Sequence, residues 1–241
     1  MDRYYLLFSF FVFNYCLAEN EYYTYENIDS TLHAWEEIFG LSSHTSNHYS
    51  QFGIIYNLDT IGFSSQDSLP IFAVKLSANA DITIPQPRVL IIGQCHAEEI
   101  YGVEIAMEII NQFLNPDENP GYSNRGYLIR GLAYTEIWII PTLNPEGLRV
   151  VHGYLDEDGN EIKDVTYRKN KRDVFNHHGY GYGTEGVFDF IPGVGQDVDG
   201  VDLDSNYDFN WSFGDTLLDT GASCNAGYDA DYDYYRGLNP S

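Results

Sequence analysis

A histidine and two glutamates follow an apolar run in the stretch VLIIGQCHAEEIYG, residues 89–102. The run ends at Gly93 and is typical of a buried strand, whereas the apolar residues of 103–114 recur with helical spacing. A spacing of three across this junction lets the His96 ring and the Glu99 carboxylate converge on one point. Both are ligand types that zinc accepts, and a catalytic zinc takes three protein ligands and an open position. The pair therefore indicates a candidate metal site, although a His–Glu pair at a helix start also occurs without a metal.

Three later stretches add side chains that suit a hydrolytic site. NPEG, residues 144–147, follows an apolar strand and by itself signals a turn. YRKNKRD, residues 167–173, holds four of the 12 basic residues, including Arg168, which could bind a carboxylate or an oxyanion or balance nearby acids in solvent. GVDLDSNYDFNW, residues 200–211, supplies Asp202, which could accept a hydrogen bond from the second ring nitrogen of a metal-bound histidine.

The order and spacing of these stretches resemble the zinc metallocarboxypeptidases of the carboxypeptidase A/B type. The resemblance implies that His96 and Glu99 bind a zinc ion, Zn²⁺, and that Asp202 orients His96. It also implies that Arg168 is catalytic, because it stabilises the oxyanion, and that it binds the peptide or protein substrate. The sequence YYRGLNPS at residues 234–241 is similar to a family segment as well, so the resemblance extends over most of the chain.

Two departures from the family pattern concern the end of the substrate. Asp204 and Ser205 stand where the family has Asn-Arg, and the resemblance makes them substrate-binding positions of changed chemistry. The family's arginine binds the C-terminal carboxylate, and Ser205 cannot supply a bidentate cation. Glu98 stands where the family often has another arginine. Both changes remove positive charge, which predicts a substrate end that is basic or amidated, or a weakened activity.

Two catalytic groups of the family have no counterpart in this sequence. The resemblance places the third zinc ligand, a histidine, and the general base, a glutamate, beyond the segment at 234–241. None of the other histidines matches the third ligand. We therefore expect residues 19–241 to be the N-terminal part of a truncated catalytic domain. With two ligands and no base, zinc should bind weakly and hydrolysis should fail in this chain alone.

The positioning of these residues requires strands that end at the site. The predicted fold class is α/β, a mixed central sheet flanked by helices, carboxypeptidase-like and apparently truncated. Glycine, asparagine, aspartate and tyrosine dominate after residue 144 and predict long loops there. In chain order, the patterns predict helices over 25–39, 98–114 and 125–132 and strands near 53–58, 71–77, 87–93 and 135–140.

Length and charge limit the remaining possibilities. At 241 residues the chain suits one domain, and its formal net charge of −24 argues against nucleic acid as a partner. Residues 1–18 contain one early arginine, a short apolar core and small residues before Ala18, which predicts a cleaved secretory signal and a secreted or periplasmic protein. Other apolar runs are too short for a membrane anchor. LDEDGNEI, residues 155–162, predicts a hairpin turn rather than a calcium loop.

Three other functions compete with the peptidase. Zinc amidohydrolases that act on acyl-amino acids share the H-x-x-E start, although NPEG, YRKN and the export signal favour the peptidase. A non-catalytic binding protein on the same fold is supported by Asp204 and Ser205. An acidic, tyrosine-rich extracellular structural protein is supported by composition alone. The leading hypothesis is zinc-dependent hydrolysis of peptide bonds that releases C-terminal residues.

Overall fold

The computed structural model describes residues 22–41, 48–117, 125–171, 200–204 and 206–207. The predictions for the signal peptide over 1–18, for Ser205 and for the segment at 234–241 fall outside these residues. Within the described ranges, no helix is long and apolar enough to cross a membrane.

The described chain alternates helices and strands. The elements are α1 Tyr25–Phe39, β1 Tyr56–Phe63, β2 Pro70–Leu76, β3 Arg88–Ile92, α2 Ile100–Leu114, α3 Arg125–Tyr134, β4 Glu136–Ile140, α4 Pro145–His152, β5 Tyr154–Leu155 and β6 Glu161–Ile162. Four strands form one mixed sheet in the order β1-β2-β4-β3, in which β3 and β4 are parallel and the other neighbours are antiparallel. The predicted mixed α/β architecture is therefore confirmed.

The parallel pair β3 and β4 brings two of the sequence motifs to one edge of the sheet. Ile92 pairs with Ile140 at the ends of these strands. The connection continues beyond the ladder, because the Gly93 amide donates to the Ile140 carbonyl at 2.8 Å and the Leu143 amide donates to the Gln94 carbonyl at 2.8 Å. The residues that follow β3 and β4 therefore leave the sheet side by side, as expected for the carboxyl ends of parallel strands.

The structure corrects two predicted boundaries. The first strand covers Tyr56–Phe63 rather than residues 53–58, because Ile54 and Ile55 use their carbonyls to accept hydrogen bonds from a neighbouring loop, outside the strand ladder. The predicted long loop after residue 144 begins instead with α4. Its N-cap is Asn144, whose side chain accepts a hydrogen bond from the Gly147 amide at 3.0 Å, and Pro145 occupies the first turn.

Burial on β3 also differs from the prediction. Its apolar sequence predicted a strand covered on both faces, yet Val89 is 45% exposed and Leu90 is 60% exposed. The neighbouring β4 is instead the covered strand, with Ile137, Ile139 and Ile140 buried. The reason is position, because β3 lies at the edge of the described sheet and β4 lies between β2 and β3. The predicted hairpin at residues 155–162 is present as the β5–β6 pair.

A buried ion cluster lies at the end of β4 opposite the sequence motifs. Glu136 is 1% exposed, accepts a hydrogen bond from Arg88 Nε at 2.6 Å and lies 3.4 Å from Lys75 Nζ. Burial acts to raise the pKa of Glu136, but the neighbouring Arg88 and Lys75 outweigh it and leave the pKa below its ordinary value. The ionised carboxylate therefore stabilises the fold.

Acidification is expected to remove this contribution. Because the pKa of Glu136 is lowered on folding, its stabilisation is present above the unfolded pKa of about 4.3 and is lost as the pH falls through the folded value. Urea unfolding of the parent and of Glu136→Gln between pH 3 and 7 measures this. The free energy of unfolding of the parent should exceed that of the variant near pH 7, and this difference should shrink in acid. The exposed Glu37→Gln serves as the control, and a pH-independent gap at Glu136 would contradict the prediction.

Candidate metal centre

The first motif lies in the connection between β3 and α2. Helix α2 crosses the end of β3 at a contact between two glycine backbones, since a Cβ added at Gly102 would lie 1.7 Å from the carbonyl oxygen of Gly93. Only glycine allows this approach. The crossing fixes residues 94–99 at the end of the strand, where His96 is buried and Glu99 precedes the helix as its N-cap residue.

The two predicted zinc ligands face each other across this connection. His96 Nδ1 lies 3.1 Å from Glu99 Oε1. Within the described residues, Nδ1 is buried and has no hydrogen-bond partner of acceptable geometry. Two zinc ligands at about 2.0–2.1 Å and a tetrahedral angle would lie about 3.3 Å apart. A buried ring nitrogen without a partner, opposite a carboxylate at this separation, fits a zinc ion.

The other ring nitrogen of His96 faces three charged groups. Nε2 lies 3.1 Å from Asp202 Oδ1, 3.1 Å from Asp204 Oδ2 and 2.7 Å from a terminal guanidinium nitrogen of Arg168. Asp202 is fully buried, whereas the Asp204 side chain is 49% exposed. The structure therefore brings Asp202 and His96 together, although the role of Asp202 towards a metal-bound histidine stays a prediction.

Asp202 sets the protonation of His96 in the metal-free chain. The carboxylate of Asp202 is the largest influence and, with the carboxylates of Glu99 and Asp204, outweighs the effect of burial and raises the pKa of His96 to about 9. The carboxylates thus prevail over the nearby guanidinium of Arg168. A metal ion bound at Nδ1 would take the place of a proton near neutral pH, and Asp202 would hold the remaining ring proton on Nε2.

A second group of ligand atoms competes for a cation. One atom each from His96, Asp202 and Asp204 lie within 4.8 Å of one another. This group is on the Nε2 side of the ring, where the guanidinium of Arg168 is 2.7 Å away. The positive charge of Arg168 opposes the binding of a cation at this group. Charge therefore favours the side of Nδ1 and Glu99.

Arg168 lies between the histidine and an acidic residue. One of its terminal nitrogens donates to Glu98 Oε1 at 3.2 Å, and the side chain is 15% exposed. Burial raises the pKa of Glu98, and Arg168 opposes this effect without reversing it. The sequence placed Arg168 near the metal but did not reveal its ion pair with Glu98. An acidic residue at the place of an arginine was the only signal for this contact.

Another basic residue of the YRKNKRD stretch, Lys171, pairs with an acid away from His96. Lys171 Nζ donates to both carboxylate oxygens of Asp67 at 2.8 and 2.9 Å, and it lies 4.9 Å from the ring centroid of Tyr154. Lys171 therefore balances a nearby acid. Lys169 is fully buried.

The strand-end histidine, its facing glutamate and the carboxylate behind it define a candidate zinc centre on an α/β fold. A sequence model of the zinc carboxypeptidase family matches residues 43–239. The chain therefore belongs to the zinc carboxypeptidase family. The roles of the individual site residues stay predictions.

Individual relatives agree with this assignment. The chain is 32% identical over 94 residues to a zinc carboxypeptidase of Saccharothrix mutabilis subsp. capreolus, which covers 39% of this chain and 20% of the relative. The fold of the present chain is similar to that of carboxypeptidase A from Helicoverpa armigera, with a TM-score of 0.59 and 17% identity. The match covers 91% of the present chain and 39% of that carboxypeptidase. The fold is also similar to that of thrombin activatable fibrinolysis inhibitor, with a TM-score of 0.57, 15% identity and coverage of 91% and 40%. The chain thus spans between a fifth and two fifths of the length of these relatives.

Proposed function

We propose that this chain supplies part of the active site of a zinc-dependent carboxypeptidase that releases C-terminal residues from peptides. The observation that carries the proposal is the environment of His96. Its buried Nδ1 faces Glu99 at 3.1 Å and has no hydrogen-bond partner among the described residues, while Asp202 lies at the opposite ring nitrogen. Membership of the zinc carboxypeptidase family supports zinc as the metal and peptides as the substrates.

Each residue of the centre has a separate task in this proposal. His96 and Glu99 would hold the zinc ion, which when bound supplies Lewis-acid polarisation of the scissile carbonyl. Asp202, at 3.1 Å from Nε2 of His96, would hold a proton on that nitrogen and so direct the lone pair of Nδ1 towards the metal. From the family resemblance, we propose that Arg168 donates hydrogen bonds to the oxyanion that forms on the substrate carbonyl.

The remaining groups of the mechanism are proposed to come from outside the described residues. A catalytic zinc takes three protein ligands, and His96 and Glu99 are two. The resemblance to the family assigns a further histidine and a glutamate base to positions that no residue of this sequence matches. We therefore propose that the chain alone binds zinc weakly and does not hydrolyse peptides. We also propose a secreted or periplasmic location, from the signal-like pattern of residues 1–18.

The charge around Arg168 supports a changed substrate end. Glu98 pairs with Arg168 at 3.2 Å, and Asp204 lies beside His96 with half of its side chain exposed. These two carboxylates would repel a substrate carboxylate and attract a cation. We propose that substrates with a basic or amidated end are preferred, that Asp204 and Ser205 contact that end, and that Arg168 contacts the substrate carbonyl.

A substrate panel tests the function. The 241-residue chain, and any product of its gene that also carries a third zinc ligand and a glutamate base, are loaded with zinc and assayed on blocked dipeptides with neutral, acidic or basic C-terminal residues, on amidated peptides and on acyl-amino acids. We expect release of C-terminal residues by a product that carries the missing ligand and base, with basic ends preferred to acidic ones, and no turnover by the 241-residue chain. Cleavage of acyl-amino acids without release of C-terminal residues would contradict the proposal, as would zinc-independent turnover.

A further inference from the structure

Asn144 lies at the meeting point of the three motifs around His96. The residue is 1% exposed. Its side-chain oxygen accepts a hydrogen bond from the Gly147 amide at 3.0 Å and so caps α4. Its side-chain nitrogen donates to the Lys169 carbonyl at 3.0 Å and reaches the Arg168 carbonyl at 3.5 Å. One buried amide therefore joins the end of β4 to the segment that carries Arg168.

The carbonyl of Arg168 has a second partner in the first motif. The Ala97 amide donates to it at 3.0 Å, and Ala97 is the residue directly after His96. The backbone of Arg168 is thus held from both sides, by Asn144 and by the His96–Glu99 connection. This arrangement brings the guanidinium of Arg168 to 2.7 Å from His96 Nε2.

Asn144 is itself fixed by buried polar groups. The backbone amide of Asn144 donates to Thr142 Oγ1 at 3.0 Å. The Thr142 hydroxyl donates to Gln94 Oε1, and Gln94 Nε2 donates to the Ala97 carbonyl at 2.8 Å. Gln94, Thr142 and Asn144 are all buried. A buried network with paired members is rigid, since each lost partner leaves a desolvated polar group.

The two ends of the Asn144 side chain have different tasks. Capping α4 requires only an acceptor, and serine, threonine or aspartate would provide one. What asparagine adds to these residues is a donor atom separate from the capping oxygen, and it is used on the carbonyls of the Arg168 segment. We infer that Asn144 is a positioning residue, which sets the orientation of Arg168 beside His96 through the backbone of residues 168–169. The inference rests on the proposed function only where it assigns Arg168 to the substrate.

The test separates the donor from the cap. Asn144→Asp and Asn144→Ser both keep an acceptor for the Gly147 amide, and both lose the separate side-chain nitrogen that donates to the carbonyls of Arg168 and Lys169. Amide hydrogen exchange and NMR on the full chain follow the Ala97 amide, the Gly147 amide and the Arg168 Nε–H signal. The amides of Val74 and Met107, in the buried core, report global opening in the same samples.

A positioning role predicts a local and selective change. Exchange at the Ala97 amide should accelerate about tenfold in both variants, the value of one lost hydrogen bond, and the Arg168 signal should shift. The Gly147 amide should keep its protection relative to the core amides. Unchanged Ala97 and Arg168 signals in a folded variant would overturn the inference. A parallel loss of protection at Gly147 and Ala97 would also overturn it, because Asn144 would then act through the helix cap alone.

A kinetic comparison connects the inference to catalysis. In a product with peptidase activity, Asn144→Ser should lower kcat/KM about 10-fold to 100-fold through misplacement of Arg168, with zinc affinity unchanged. The same substitution should have little effect when Arg168→Ala is already present. An undiminished loss in the Arg168→Ala background would overturn the positioning role. Because the exchange experiment requires no turnover, a failure of the proposed function would leave the result at Ala97 and Arg168 readable.

Discussion

Replacement of His96 by alanine is expected to lower the zinc affinity of the chain about 100-fold or more, because structural zinc sites draw several kcal/mol from each ligand. The ring is the only described group that presents a buried nitrogen to Glu99, at 3.1 Å. Competition with a chromogenic chelator measures the affinity. His33→Ala is the matched control, since His33 is an exposed histidine that contacts Asp29 on α1, and it should leave zinc binding unchanged.

Further variants locate the ion on one side of the ring. Glu99→Gln should reduce zinc affinity strongly, whereas Asp204→Asn should reduce it little, if the ion binds at Nδ1. Asp202→Asn should lower zinc affinity about 10-fold to 100-fold, which is the usual effect of losing the carboxylate that orients a metal-bound histidine. The reverse ranking of Glu99→Gln and Asp204→Asn would place the ion in the group of His96, Asp202 and Asp204. Wild-type affinity in His96→Ala would exclude both sites.

The part of the site that the sequence predicts is the part with local spacing. His96 and Glu99 are three residues apart across a strand end, so their approach follows from the junction between β3 and α2. Asp202 is more than one hundred residues away, and no periodicity connects it to His96. Its position beside Nε2 was expected only from the resemblance to a family, and the structure brings the two groups to 3.1 Å.

Contacts that depend on how elements pack were not predictable in this way. The pair of Glu98 with Arg168 requires the backbone contact between Ala97 and Arg168, and its only signal in the sequence is an acidic residue at the place of a family arginine. The helix α4 was missed for another reason. Asparagine, proline and glycine in NPEG signal a turn, but asparagine before proline is also a helix start. The buried network at Asn144 settles this local ambiguity in favour of the helix.

The crossing of α2 over β3 is expected to tolerate no side chain at Gly102. A Cβ there would lie 1.7 Å from the Gly93 carbonyl oxygen and 2.7 Å from its carbonyl carbon, and backbone atoms cannot move aside as a flexible side chain would. Gly102→Ala should therefore destabilise the fold by about 3 kcal/mol, the upper range for overpacking. Gly126→Ala is the matched control on α3. Its Cβ would meet nothing within 4 Å, and helix propensity predicts a gain of up to about 1 kcal/mol.

Urea unfolding measures both glycine variants, and zinc affinity connects the result to the site. If the crossing positions the metal ligands, a folded Gly102→Ala protein should also bind zinc more weakly, because the start of α2 and Glu99 move away from His96. Gly126→Ala should bind zinc like the parent. A Gly102→Ala protein with parental stability would show that α2 and β3 are further apart than described. Lost stability with parental zinc affinity would show that the Glu99 carboxylate is placed independently of the helix that follows it.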